Sequence, residues 1–268
     1  MTDYSRYECI QVEEEDTVLT VTLNRPESLN AFSSDLHREM EDLWADVALD
    51  LDVNAVILTG AGKAFSAGGD VKDMARRAGT DEGRQRALTT SAGARRLIQN
   101  MLEVNQPIIG AINGDAVGLG ATVALFCDVV VAAENARIGD PHVKVGVVAG
   151  DGGAVIWPLL IGVARAKEYL MTGRLIKAVD AERIGLVNYA VPKEEVFPRA
   201  KELAQELAEG PPWAIRWTKL SVNKWLKEQV NLILDASLAF EMLTFGTADH
   251  KEATQAFVEK RKPNFRGI

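Results

Sequence analysis

Ala64-Phe65-Ser66-Ala67-Gly68-Gly69-Asp70 follows the apolar run Ala55-Val56-Ile57-Leu58-Thr59, so a strand ends in a sharp turn rich in glycine. The pattern returns at Asn113-Gly114-Asp115-Ala116-Val117-Gly118-Leu119-Gly120, after Pro107-Ile108-Ile109-Gly110-Ala111-Ile112. Each turn can present backbone N–H groups that no regular element uses. The second does so at a helix start, where the dipole is also positive. Two such turns facing one point form an oxyanion hole, a pair of donors for a carbonyl oxygen that gains charge.

Around these turns the chain alternates strand and helix patterns. Cys9 to Val12 and Val18 to Leu23 alternate as a strand pair, with Glu13-Glu14-Glu15-Asp16 between them. Phe32, Leu36, Met40, Leu43 and Val47 then recur at helical spacing, with Ser33 or Ser34 as cap. A charged, arginine-rich helical region runs from Val71 to about Leu102, and a strand spans Asp128 to Ala133. Strands alternating with helices predict βα units wound round one core. After Val191-Pro192 only helical patterns remain, so residues 1–191 are expected to form the core with the active site and 192–268 an all-helical region. Trp213, Trp217 and Trp225 recur at about helical spacing and are expected to be a packing stripe.

A chain of 268 residues with 47% hydrophobic content has the size and composition of a globular protein with a large core. No apolar run reaches the length of a bilayer span, and the start lacks the layout of a secretory signal. Two cysteines, Cys9 and Cys127, are too few for a disulfide framework and fit reduced packing residues in a cytoplasmic protein. A net charge of −8 argues against a nucleic-acid partner.

Taken in order, Asn24-Arg25-Pro26-Glu27-Ser28-Leu29-Asn30-Ala31-Phe32, the Phe65-to-Asp70 turn, Asn113-Gly114, Cys127-Asp128, Gly185-Leu186-Val187 and Phe257-Val258-Glu259-Lys260-Arg261-Lys262-Pro263 cover nearly the whole chain. This series resembles the crotonase (enoyl-CoA hydratase/isomerase) superfamily. The resemblance implies an α/β spiral of ββα units with a C-terminal helical trimerisation region, and hence a homotrimer or a dimer of trimers. It implies an acyl-CoA thioester as substrate, with no cofactor beyond the coenzyme A that the substrate carries. The oxyanion donors it implies are the N–H groups of Ala67 and Leu119. Asn30, Ala31, Phe32, Gly68, Gly69, Asp70 and Thr122 would line the substrate and CoA site. Phe257 and Lys260 of a neighbouring subunit would approach the adenine and 3′-phosphate.

One departure bears on the chemistry. Typical hydratases of the family carry two glutamates that hold and activate water, and those positions align with Thr122 and His142. The loop instead reads Gly139-Asp140-Pro141-His142, then Asp151-Gly152-Gly153. If His142 and Asp151 converge, the carboxylate fixes the tautomer of the imidazole and His142 can act as general base on water or an α-proton, with Asp151 itself as base or nucleophile the alternative. Asp151 could equally be an N-cap and His142 a mere wall residue. The His–Asp segment is also similar to 6-oxocamphor hydrolase, a crotonase relative that cleaves C–C bonds of β-diketones, and Glu241 matches a glutamate there. Three readings follow: hydration or isomerisation of an enoyl-CoA with His142, Asp151 and Glu241 as catalytic set; C–C hydrolysis of a β-diketone or β-ketoacyl substrate; and CoA-ester or RNA binding without turnover. His37 and His250 lie on helix patterns with no companions at metal-ligand spacing, so no metal site is expected.

Overall fold

The computed structural model describes residues 2–267. Its first strands, β1 (Ile10–Glu15) and β2 (Val18–Leu23), form the antiparallel hairpin the alternation predicts. Helix α1 (Ser34–Leu49) starts on Ser33, whose hydroxyl accepts from Leu36 N–H. Strand β3 (Ala55–Gly60) leads through the first glycine turn to α2 (Val71–Arg77) and α3 (Asp81–Glu103). Strand β4 (Ile108–Ile112) leads through the second to β5 (Ala116–Val117) and α4 (Leu119–Leu125). Next come β6 (Val129–Ala133), β7 (Arg137–Gly139), α5 (Gly153–Ile161), α6 (Val163–Thr172), β8 (Ile176–Lys177), α7 (Ala178–Arg183) and β9 (Tyr189–Val191). The chain ends in α8 (Val196–Glu209), α9 (Pro212–Phe245) and α10 (Ala248–Val258).

The main sheet has the order β1-β2-β3-β4-β6-β9, parallel throughout apart from the first hairpin. Beside it lies a small sheet ordered β5-β7-β8. The later turns of the spiral, β4-β5, β6-β7 and β8-β9, each give one strand to the large sheet and a short one to the small sheet. Strands β4 and β6 are apolar at every position, and β3 at all but Thr59, because both faces are covered. Val56, Leu58, Ile108 and Val130 face the large core built with α1, α3, α4, α5 and α9. Their alternates Ala55, Ile57, Ile109, Ala111 and Val131 face Val196, Ala200 and Ala204 of α8. The helices after residue 191 are thus part of the packing of both cores. One expectation fails here. Trp213, Trp217 and Trp225 are 50%, 61% and 55% exposed, so the stripe faces outward from the chain.

Candidate active site

The two glycine turns meet. Ser66 N–H donates to Asp115 O at 3.1 Å, and Val117 N–H donates back to Ser66 O at 3.0 Å, a one-rung parallel ladder between them. Gly68 (φ +80°) lies so close that a methyl group on it would stand 2.4 Å from Val117 O. Asp115 is itself held by Arg137, whose backbone N–H and guanidinium donate to its carboxylate at 2.8 and 3.0 Å. Neither Gly69 N–H nor Leu119 N–H finds an acceptor among the described residues, and both residues line one cavity of about 1310 Å³.

His142, Asp151 and Glu241 line the same cavity. A short 3-10 turn, His142–Val145, follows β7 and places His142 beside the second glycine turn. A methyl group on Gly118 would stand 3.6 Å from its Cε1. His142 Nδ1 pairs with Asp140, and Nε2 lies 3.3 Å from Asp151 Oδ2 and 4.0 Å from Glu241 Oε1. Thr122 Oγ1 donates to Asp151 Oδ1 at 3.2 Å. Glu241 arrives from α9, where Ser237, one turn earlier, donates its hydroxyl to Gly150 O at 2.8 Å. Gly150 permits that approach, since a methyl group there would strike Ser237 O at 2.5 Å and Glu241 Cβ at 2.6 Å.

Residues 13–267 match the family model for enoyl-CoA hydratase/isomerase. The chain belongs to this enzyme family. The short-chain-enoyl-CoA hydratase of Clostridium acetobutylicum is 41% identical over 256 residues, covering 94% of this chain and 95% of that one. The crystal structure of an enoyl-CoA hydratase/isomerase from Mycobacterium paratuberculosis superposes with a TM-score of 0.87 at 37% identity, over 92% of this chain and 97% of that one. A β-diketone hydrolase from Anabaena, bound to (S)-3-oxocyclohexyl acetic acid, superposes with a TM-score of 0.82 at 31% identity, over 91% and 96% of the two chains. The crotonase resemblance and the spiral fold expected from the motifs are both sustained by these matches.

Within this crotonase site the electrostatics assign protons. Burial pulls the His142 pKa down, but Asp140 and Asp151 outweigh it and hold the value well above that of an ordinary histidine. Burial raises Asp151, yet the attraction of His142 and the hydrogen bonds from His142 and Thr122 keep it below the ordinary carboxylate value. Burial, and then the charge of Asp151, push Glu241 well above its ordinary value, the charge of His142 opposing them. These directions favour an imidazolium at His142, an ionised Asp151 and a protonated Glu241 carboxyl. Asp140, His142 and Asp151 offer atoms within 4.8 Å of one another, a spacing that could also hold a metal ion. That cluster was not foreseen from the sequence, where only His37 and His250 were weighed as ligands.

Several expected site residues stand elsewhere. Ala67 N–H donates to Leu29 O at 2.9 Å, so it is spent inside the turn, and Gly69 supplies the free N–H. Asn30 is fully buried: its side-chain amide donates to Ala61 O and Ala64 O, both at 2.9 Å, and its Oδ1 accepts from Arg25 N–H. It staples the turn and, like its buried neighbour Ala31, does not line the cavity. Phe32, Gly69 and Asp70 do line it. Asp70 is also the N-cap of α2, accepting from Lys72 and Asp73 N–H. Gly68 faces the other turn, and Thr122 acts through Asp151. Phe257 and Lys260 are exposed, away from the cavity lining. Asp151 is not an N-cap: Gly152 occupies that position with no side-chain bond. Asp140 escaped notice although it stands two residues before His142, a spacing that lets a side chain fold back onto its neighbour. Ser237 carried no sequence signal beyond its helical register with Glu241.

Proposed function

We propose that this protein adds water across the double bond of a 2-enoyl-CoA thioester by acid–base catalysis. The observation that carries this reading is that the free Gly69 and Leu119 N–H groups and the Asp151–His142–Glu241 set line one cavity. The thioester oxygen sits between the two N–H groups, where each donor is worth roughly 3–4 kcal/mol to the enolate-like transition state. Asp151, ionised, takes a proton from water as its oxygen bonds to the β-carbon. Glu241, neutral, gives its proton to the α-carbon, and the two carboxyl groups then exchange a proton to restore the starting state. His142 is saturated on both nitrogens and acts by holding Asp151 ionised. It is therefore Asp151, not His142, that serves as base.

Loss of crotonyl-CoA absorbance tests this. Asp151→Asn and Glu241→Gln are each expected to lower kcat by about 100-fold or more with CoA binding kept. Wild-type protein that binds CoA tightly and leaves crotonyl-CoA unchanged would refute it. A second reading, hydrolysis of a C–C bond in a β-diketone or β-ketoacyl substrate, draws support from the same acid–base set and from the Anabaena relative. Turnover of a cyclic β-diketone, with none of crotonyl-CoA, would favour it. We further propose a trimer or a dimer of trimers in the cytoplasm. The exposed tryptophans of α9 and the two free cysteines support this, and no single helix among the described residues is long and apolar enough to cross a membrane.

A further inference from the structure

Beyond the reacting groups, the cavity wall is mostly apolar where α9 and α3 face each other, with Leu238, Met242 and Ala87 among its residues. Polar residues such as Arg86, Ser91 and Asp235 also line it, and two more on α1 form a dyad. His37 and Glu41, one turn apart on α1, both line the cavity. Glu41 is 8% exposed and its carboxylate is shared: His37 Nδ1 lies 2.9 Å from Oε1, and Arg96 Nε donates to Oε2 at 2.7 Å. Burial would raise the Glu41 pKa, but His37 and Arg96 keep it below the ordinary value, so the group is ionised. An ionised carboxylate only accepts, which makes Nδ1 of His37 the donor and leaves Nε2 as the free position.

Nε2 of His37 is buried and has no hydrogen-bond partner. The ring sits edge-on to Phe32 with centroids 6.2 Å apart, and Phe32, His37, Leu119 and Asp151 line the same cavity. Helix α3 makes room for the ring. Gly93 is a helix-interior glycine, an unfavourable choice by propensity. A methyl group there would stand 2.6 Å from Glu41 Oε1 and 3.2 Å from His37 Cε1. The dyad is therefore held from three sides and leaves one ring nitrogen for a ligand.

We propose that His37, oriented by Glu41, is a specificity determinant that pairs with a hydroxyl on the acyl chain beyond the β-carbon. The substrate class is thus a hydroxylated acyl-CoA rather than a plain fatty acyl-CoA. A hydroxyl fits because it donates to a neutral Nε2 and accepts from a protonated one, whereas a ketone or ether only accepts. Beside a plain alkyl chain the buried Nε2 stays unpaired, and sites built to bond a hydroxyl discriminate strongly against ligands that lack one.

This inference rests on the acyl-CoA reading, and binding of saturated esters tests it without turnover. Calorimetric titration compares acyl-CoA esters matched in length, either unsubstituted or hydroxylated at successive carbons beyond the β-carbon. At one position the hydroxylated ester should bind at least about tenfold tighter to the wild type. The preference should fall to near unity in His37→Phe and weaken in Glu41→Gln, while the unsubstituted ester binds all three proteins alike. Equal or weaker binding of every hydroxylated ester to the wild type overturns the proposal, as does a preference that survives His37→Phe. Failure of CoA esters to bind at all defeats the acyl-CoA reading and this inference with it. Binding with the preference but without crotonyl-CoA turnover defeats only the hydratase step.

Discussion

His142 is held at both ring nitrogens, by Asp140 on Nδ1 and Asp151 on Nε2, in a site almost closed to solvent. Its pKa in the folded state is raised, so its contribution to stability is complete below the ordinary value of 6.5 and is lost as pH rises through the folded value. Asp151 behaves oppositely: its folded pKa is lowered, so its contribution is complete above 3.8 and is lost on acidification. Glu241 is a raised carboxyl, and keeping it neutral costs stability increasingly above its ordinary value of 4.5. Glu241→Gln should therefore raise Tm more at pH 8 than at pH 5, while lowering kcat by about 100-fold or more. Thermal melts at pH 5 and pH 8 decide this, since a variant destabilised at both would show Glu241 ionised in the native state. Asp140→Asn should lower the His142 pKa, visible in its ring-proton NMR titration, and reduce kcat by about 100-fold. An unchanged titration would remove Asp140 from the site.

At the scale of elements, the two glycine turns set the distance between the oxyanion donors and the acid–base groups. Gly68→Ala should cost about 2–3 kcal/mol, because φ is +80° and the added methyl meets Val117 O at 2.4 Å. Urea unfolding measures it, and a loss under 0.5 kcal/mol, the range of an ordinary surface change, would mean the turns are not rigidly apposed. These turns were legible because glycine and apolar runs are local signals, as were the β1–β2 hairpin and the helical stretch after residue 191. Which N–H stays free was not legible. Ala67 loses its candidacy to Leu29 O, a carbonyl almost forty residues earlier, placed by consecutive left-handed residues Leu29 (φ 53°) and Asn30 (φ 55°). Asn30 likewise has the composition of a ligand-binding residue and turns out to be a staple. His142 and Asp151 could be paired from the sequence, but the second carboxylate on His142 and the proton on Glu241 depend on burial that only the packing of α9 creates.

The whole molecule leaves one face unfinished. Trp213, Trp217 and Trp225 project from α9, and farther along that helix Leu232 is 70% and Leu243 71% exposed. Large apolar patches on a folded chain mark contacts with other chains, and tryptophan is enriched in the cores of such contacts. The helical spacing of the tryptophans was visible in the sequence, but periodicity gives only a shared face and cannot say whether that face turns inward or outward. Here it turns outward, since Trp213 and Trp217 stack on each other at 5.4 Å and Arg216 behind them is buried, donating to Val53 O at 2.7 Å. The arginine anchors the helix to the body of the chain, its guanidinium 5.1 Å from the Trp213 ring centroid, while the rings stay half exposed. Trp217→Glu combined with Trp225→Glu should thus convert the proposed trimer to monomers in sedimentation velocity while the far-ultraviolet dichroism stays that of the wild type. Because α9 also carries Glu241, monomers should lose activity through a looser Asp151–Glu241 pair, and raising the protein concentration should not restore it. A variant that sediments as the wild type would mean that this face is not the interface.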